Sequence, residues 1–146
     1  MRLIAAIAVL LGALTPVTSL QPLEPFDRMK VACGCSFYRL DPDDPSSSIP
    51  GTELVLLDVN AEPPHALLNL GDGNVQLWPD SPIEFPMYRC SPGSEFSSIW
   101  LNNDIKLSVD LAATTGLLEG CRFQGTASVS GDYVAISEIV NGACSC

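Results

Sequence analysis

Two Cys-x-Cys doublets lie near the two ends of the chain, Cys33 and Cys35 in one and Cys144 and Cys146 in the other. In an extended segment, residues two apart point to the same side. Each doublet therefore presents both sulfurs on one face, and four sulfurs meet if the two segments are neighbours. That condition limits the fold, because the chain must come back to where it started and pair its last strand with its first.

The opening residues explain why the sulfurs are expected as disulfides. Arg2 followed by the apolar run Leu3–Leu14, with Val17-Thr18-Ser19 behind it, has the layout of a secretory signal over residues 1–19. The run is too short to span a bilayer, and no later stretch is long enough either, so no membrane span is expected in the mature chain. A chain starting near Leu20 enters an oxidising compartment, where six cysteines read as three bridges. The expected pairing joins Cys33 and Cys35 to Cys144 and Cys146, and Cys90 to Cys121. Bridges between the two ends close long loops, each contributing about 4–5 kcal/mol in the chain-entropy model.

Hydrophobic periodicity gives the fold class. Residues 20–29, with prolines at 22 and 25, have no period and read as a leader arm before a single domain over 30–146. Lys30–Leu40 is the first expected strand, with Cys33, Cys35 and Phe37 on one face. Asp41–Gly51 (DPDDPSSSIPG) reads as an acidic loop, since its prolines lack a ladder N–H. Glu53–Asn60 is apolar on both faces. His65–Leu70, Gly71-Asp72-Gly73 and Asn74–Trp78 form an expected hairpin. Ile83–Cys90 is a candidate strand that Pro86 confines to an edge or bulge.

Ile105–Leu111 alternates cleanly after a turn at Asn102-Asn103-Asp104, and Ala112–Gly120 reads as a loop or short helical turn. The closing hairpin runs from Cys121 to Val129, turns at Ser130-Gly131-Asp132, and returns from Tyr133 to Val140. Glu138 falls among Val134, Ile136 and Val140 on one face of the second arm. Asn141-Gly142 is expected to end that arm. Short strands at this spacing, with almost no helix, predict an all-β fold: a small antiparallel sandwich or barrel of about eight strands, disulfide-stapled.

Charge bears on partners. The chain has 17 acidic and 7 basic residues, a net charge of −10, and loss of Arg2 with the signal makes it −11. Such a surface repels phosphate backbones and disfavours nucleic acid. It attracts cationic proteins, so a basic secreted or envelope protein is the expected partner.

Candidate chemistry is sparse, and no cofactor is expected. The four terminal sulfurs of Cys33, Cys35, Cys144 and Cys146 form an alternative thiolate site for copper or zinc, against which the oxidising compartment argues. His65 is the single histidine, and a hydrolase would have to use it. No Gly-x-Ser-x-Gly elbow nominates a nucleophile beside it. Asp41, Asp43 and Asp44 begin like a calcium loop but lack its central glycine and closing glutamate. Trp78, Trp100, Phe96 and Tyr38 are candidates for a binding platform, with core packing the default for both tryptophans.

In architecture and charge the chain resembles the small exported, disulfide-bonded β-barrels that bacteria use as inhibitors or envelope-binding proteins, inhibitors of lysozyme among them. That resemblance implies a non-catalytic binding or inhibitor module, secreted or periplasmic, and assigns no site residues.

Overall fold

The computed structural model describes residues 23–25, 34–44, 47–71, 73–83, 90–117 and 120–145. Within them the alternating segments form eight strands: β1 (Gly34–Leu40), β2 (Ser48–Asp58), β3 (His65–Asn69), β4 (Asn74–Pro79), β5 (Glu95–Asn102), β6 (Ile105–Leu117), β7 (Gly120–Gly131) and β8 (Ala135–Ser145). Each is antiparallel to the next, and β8 pairs back onto β1, so the sheet closes into an up-and-down barrel. Closure removes the unpaired strand edges that make open sheets prone to association.

The two-residue period sorts the side chains. Cys35 and Phe37 of β1, Val55 and Leu57 of β2, Trp100 of β5, Leu107 and Val109 of β6, and Phe123, Ala127 and Val129 of β7 all point inward and are buried. These side chains fill the interior. Outward positions of β5–β8 are mostly polar. On β2 and β3 they are not: Leu56 and Leu67 pair across the outer face and are also buried. That pair explains why the β2 sequence is apolar on both sides.

The first and last strands are neighbours, as the cysteine doublets require. Cys35 sits directly opposite Cys144 in the β1–β8 ladder and is bonded to it, with S–S 2.05 Å and Cα–Cα 4.0 Å. Cys90 is bonded to Cys121, with Cα–Cα 5.9 Å. Both bridges join the expected partners, and they mark a chain that folds in an oxidising environment. Cys33 and Cys146 lie outside the described residues. So do residues 1–19, where a secretory signal is expected, and most of the expected leader arm.

Of the arm, 23–25 is described. Leu23 is buried in the core, Glu24 N–H donates to the Asn69 carbonyl at 3.0 Å, and Asn69 Nδ2 donates to the Pro25 carbonyl at 3.2 Å. These contacts dock the segment at the barrel end where β1 finishes and β8 begins. The other end holds the start of β1, the finish of β8 and the Cys35–Cys144 bridge.

Three expected boundaries are corrected. β2 begins at Ser48, inside the stretch read as a loop, because Ser48 pairs with Leu40 across a bulge. β6 continues through Ala112–Leu117, read as a loop or helical turn, because β7 offers partners as far as Gly120. β8 runs through Asn141-Gly142 to Ser145 and begins at Ala135, leaving Tyr133 in the turn, 96% exposed. The hairpin turns at Gly71–Gly73 and at Asn103-Asp104 fall where expected, with positive φ at Gly71, Gly73 and Asn103. For the candidate strand Ile83–Cys90, residues 84–89 lie outside the described residues.

Candidate functional site

Each sequence candidate now has a place. His65 opens β3, opposite Asp58 on β2. Its Nδ1 faces the Pro63 carbonyl at 3.3 Å, and Asp58 Oδ1 accepts the Ala61 N–H at 3.1 Å. Asp58 is thus committed to a turn, and no serine hydroxyl among the described residues is hydrogen-bonded to the imidazole.

Asp41 Oδ1 accepts the Asp43 N–H at 2.9 Å, and the Asp44 carbonyl accepts the Ser47 N–H at 2.9 Å. The acidic loop therefore folds as an Asx turn. Among the described residues no group of three or more His, Cys, Asp or Glu could hold a metal ion. The thiolate alternative would first require reduction of the buried Cys35–Cys144 bridge.

The aromatic candidates separate. Trp100 and Phe96 share the inward face of β5. Trp100 is fully buried, and its Nε1–H donates to Ser98 Oγ at 2.9 Å, which satisfies the one buried polar side chain among the described residues. Trp78 corrects the expectation of core packing. Its neighbour Leu77 takes the inward position on β4, so the indole points out and is 42% exposed. Tyr38 lies on the outer face of β1, away from either tryptophan.

Trp78 is one corner of a surface that the sequence reading missed. It sits opposite Leu101 of β5. Leu101 and Ile99, two residues apart and both outward, are each 38% exposed. Further along the same face of β5 come Ser97 and Glu95. Ser97 Oγ donates to Asp110 Oδ1 of β6 at 2.7 Å. Glu95, Ser97, Asp110 and Gln124 line a cleft of about 340 Å³ that reaches the backbone of Gly125 on β7. One wall thus grades from apolar at Trp78 to acidic at Glu95. The signal was present in the outward period of β5, but only knowledge of which face is inward reveals it.

Among the described residues, clefts also open elsewhere on the barrel. One, of about 320 Å³, lies at the bridge end among Val59, Pro64, Pro79, Pro82 and Ile83, with Trp100 beneath. Another, of about 390 Å³, crosses β7, β8 and β1 beside Arg122.

These features define a class: a closed, eight-stranded up-and-down barrel with a packed interior, whose clefts open on its outer wall and ends. No protein-family model matches the chain, and no curated protein or solved structure matches it at a significant level.

Proposed function

We propose that the protein is an exported, non-catalytic binding module that holds a basic secreted or periplasmic protein against the outer wall of β4–β6, as an inhibitor does. The observation that carries this reading is the graded wall: Trp78, Ile99 and Leu101 exposed beside the carboxylates of Glu95 and Asp110. Interfaces commonly combine a tryptophan-bearing apolar centre with a polar rim. A carboxylate rim on a chain of net charge −10 steers cationic partners toward that centre. The packed interior also supports it, since an up-and-down barrel filled with side chains has no room to carry a ligand inside. Its apolar inside and largely polar outer wall are the reverse of a lipid-facing barrel.

The test is binding of a panel of purified cationic secreted enzymes to the immobilised protein. The expected result is a salt-sensitive interaction. Trp78→Ala should weaken it by about tenfold or more, and Asp110→Lys should slow association. Binding that survives both changes would remove this wall as the contact surface.

A further inference from the structure

The groove across β7, β8 and β1 has a chemistry opposite to that of the β4–β6 wall. Its cation is Arg122, exposed on the outer face of β7. Among the described residues the one ion pair is Arg39 with Glu138, so none of their carboxylates occupies the Arg122 guanidinium. In a chain with 17 acidic residues, a guanidinium over a groove with no ion-pair partner among the described residues is an unusual placement. Around it the lining is neutral: the Tyr38 ring, the hydroxyls of Ser47 and Ser48, and the Asn141 amide.

The register explains the shape. Ala143 lies between Arg122 and Ser36 on neighbouring strands, so the outer row is low there. Gly142, next to it, has its side-chain position on the inner face beside Phe37 and offers the groove only its backbone. A Cβ on Gly142 would collide with the Ser36 carbonyl oxygen, so β8 and β1 approach each other closely at this point. Tyr38 and Arg122 rise on either side of this low floor. They are separated by two strand spacings and two residues, about 12 Å between Cα atoms.

We infer that this groove binds an acidic saccharide, with the sugar carboxylate on Arg122 and the ring against Tyr38. A guanidinium offers paired N–H donors that match a carboxylate. Neutral hydroxyl and amide groups suit sugar hydroxyls, and an aromatic ring suits the apolar face of a pyranose. One cation matches a ligand with widely spaced charges. A polyphosphate or nucleic acid would need several cations and would meet repulsion from the rest of the surface. The volume, about 390 Å³, lies in the range of small-ligand sites.

The experiment is titration of the isotope-labelled protein with a glucuronate-containing disaccharide, followed by NMR. The neutral disaccharide of the same linkage, sodium acetate and sodium sulfate serve as controls. The acidic disaccharide should shift the amide signals of Tyr38, Arg122, Asn141 and Ala143. Arg122→Gln should weaken binding about tenfold or more. Ala143→Leu, which fills the floor and keeps the cation, should weaken it by a similar factor. Near-UV circular dichroism confirms that both variants retain the fold. The proposal is overturned by absence of these shifts, by equal binding of the neutral sugar, by acetate or sulfate binding as tightly, or by retained binding in either folded variant.

Discussion

At the scale of single residues, the placement of Glu138 shows what a one-dimensional pattern can and cannot say. The period of β8 puts it on the same face as Ile136 and Val140, an unwelcome site for a carboxylate. The partner that makes the site tolerable is 99 residues away. Arg39 Nη2 donates to Glu138 Oε1 at 3.1 Å and to the Leu23 carbonyl at 2.9 Å, and Nε donates to Oε2 at 3.5 Å. One guanidinium thus links β1, β8 and the docked arm at one barrel end. The anomaly was legible in the sequence and its resolution was not, because pairing across the closure is a tertiary fact. Side-chain exposures of 30% and 15% make this a partly buried pair. Removing one member should then cost more than at an open surface. Glu138→Ala is expected to lower the unfolding free energy by about 1–2 kcal/mol. Glu138→Gln, which keeps an acceptor, should cost less. Chemical denaturation of the three proteins checks the order, and a Glu138→Ala protein as stable as the parent would contradict the linking role.

At the scale of elements, the strands that came out longest are those whose partners outlast their own sequence signals. Asn141-Gly142 reads locally as a turn, yet positive φ among the described glycines occurs at Gly71, Gly73 and Gly93, not at Gly142. The absence of a side chain at Gly142 serves proximity: its Cβ would also meet Phe37 Cδ1 at 2.7 Å. Gly125 on β7 stands in the same relation to β6, where a Cβ would collide with the Asp110 carbonyl oxygen. These two positions let the sheet bend tightly enough to close. Sequence alone cannot distinguish a glycine needed for a turn from one needed for close approach. Substitution can. Gly142→Ala and Gly125→Ala should each cost about 3 kcal/mol or more, since backbone atoms of the next strand must move. Gly71→Ala, in open space at φ 104°, should cost only about 1 kcal/mol through its backbone angle. Thermal unfolding of the three variants would expose the difference, and equal losses at all three would show that closure does not depend on these approaches.

At the scale of the whole molecule, the barrel is a ring whose last joint, β8 on β1, brings together residues 109 apart in sequence. The doublets announced that joint, and the alternating strands announced the fold class. What neither announced was which faces of β4 and β5 look outward, and so the exposed wall of Trp78, Ile99 and Leu101 is not legible in the sequence. The closure also crowds the sulfurs. Cys144 is directly opposite Cys35 on one side and directly opposite Cys121 on the other, and all three are buried. Its bond to Cys90 keeps Cys121 from being a free thiol beside a disulfide. Thiolate attack on a neighbouring bridge needs proximity, and here the ladder supplies it. Cys90→Ala should therefore yield, besides the native form, molecules in which Cys121 is joined to Cys144 or Cys35. The double variant Cys90→Ala/Cys121→Ala should keep Cys35–Cys144 intact. Peptide mapping under non-reducing conditions reads the result directly. A single variant in which Cys35–Cys144 is the one bridge found among Cys35, Cys121 and Cys144, even after refolding from the reduced chain in a glutathione buffer, would show that strand pairing alone enforces the connectivity and that adjacency in the ladder does not permit exchange.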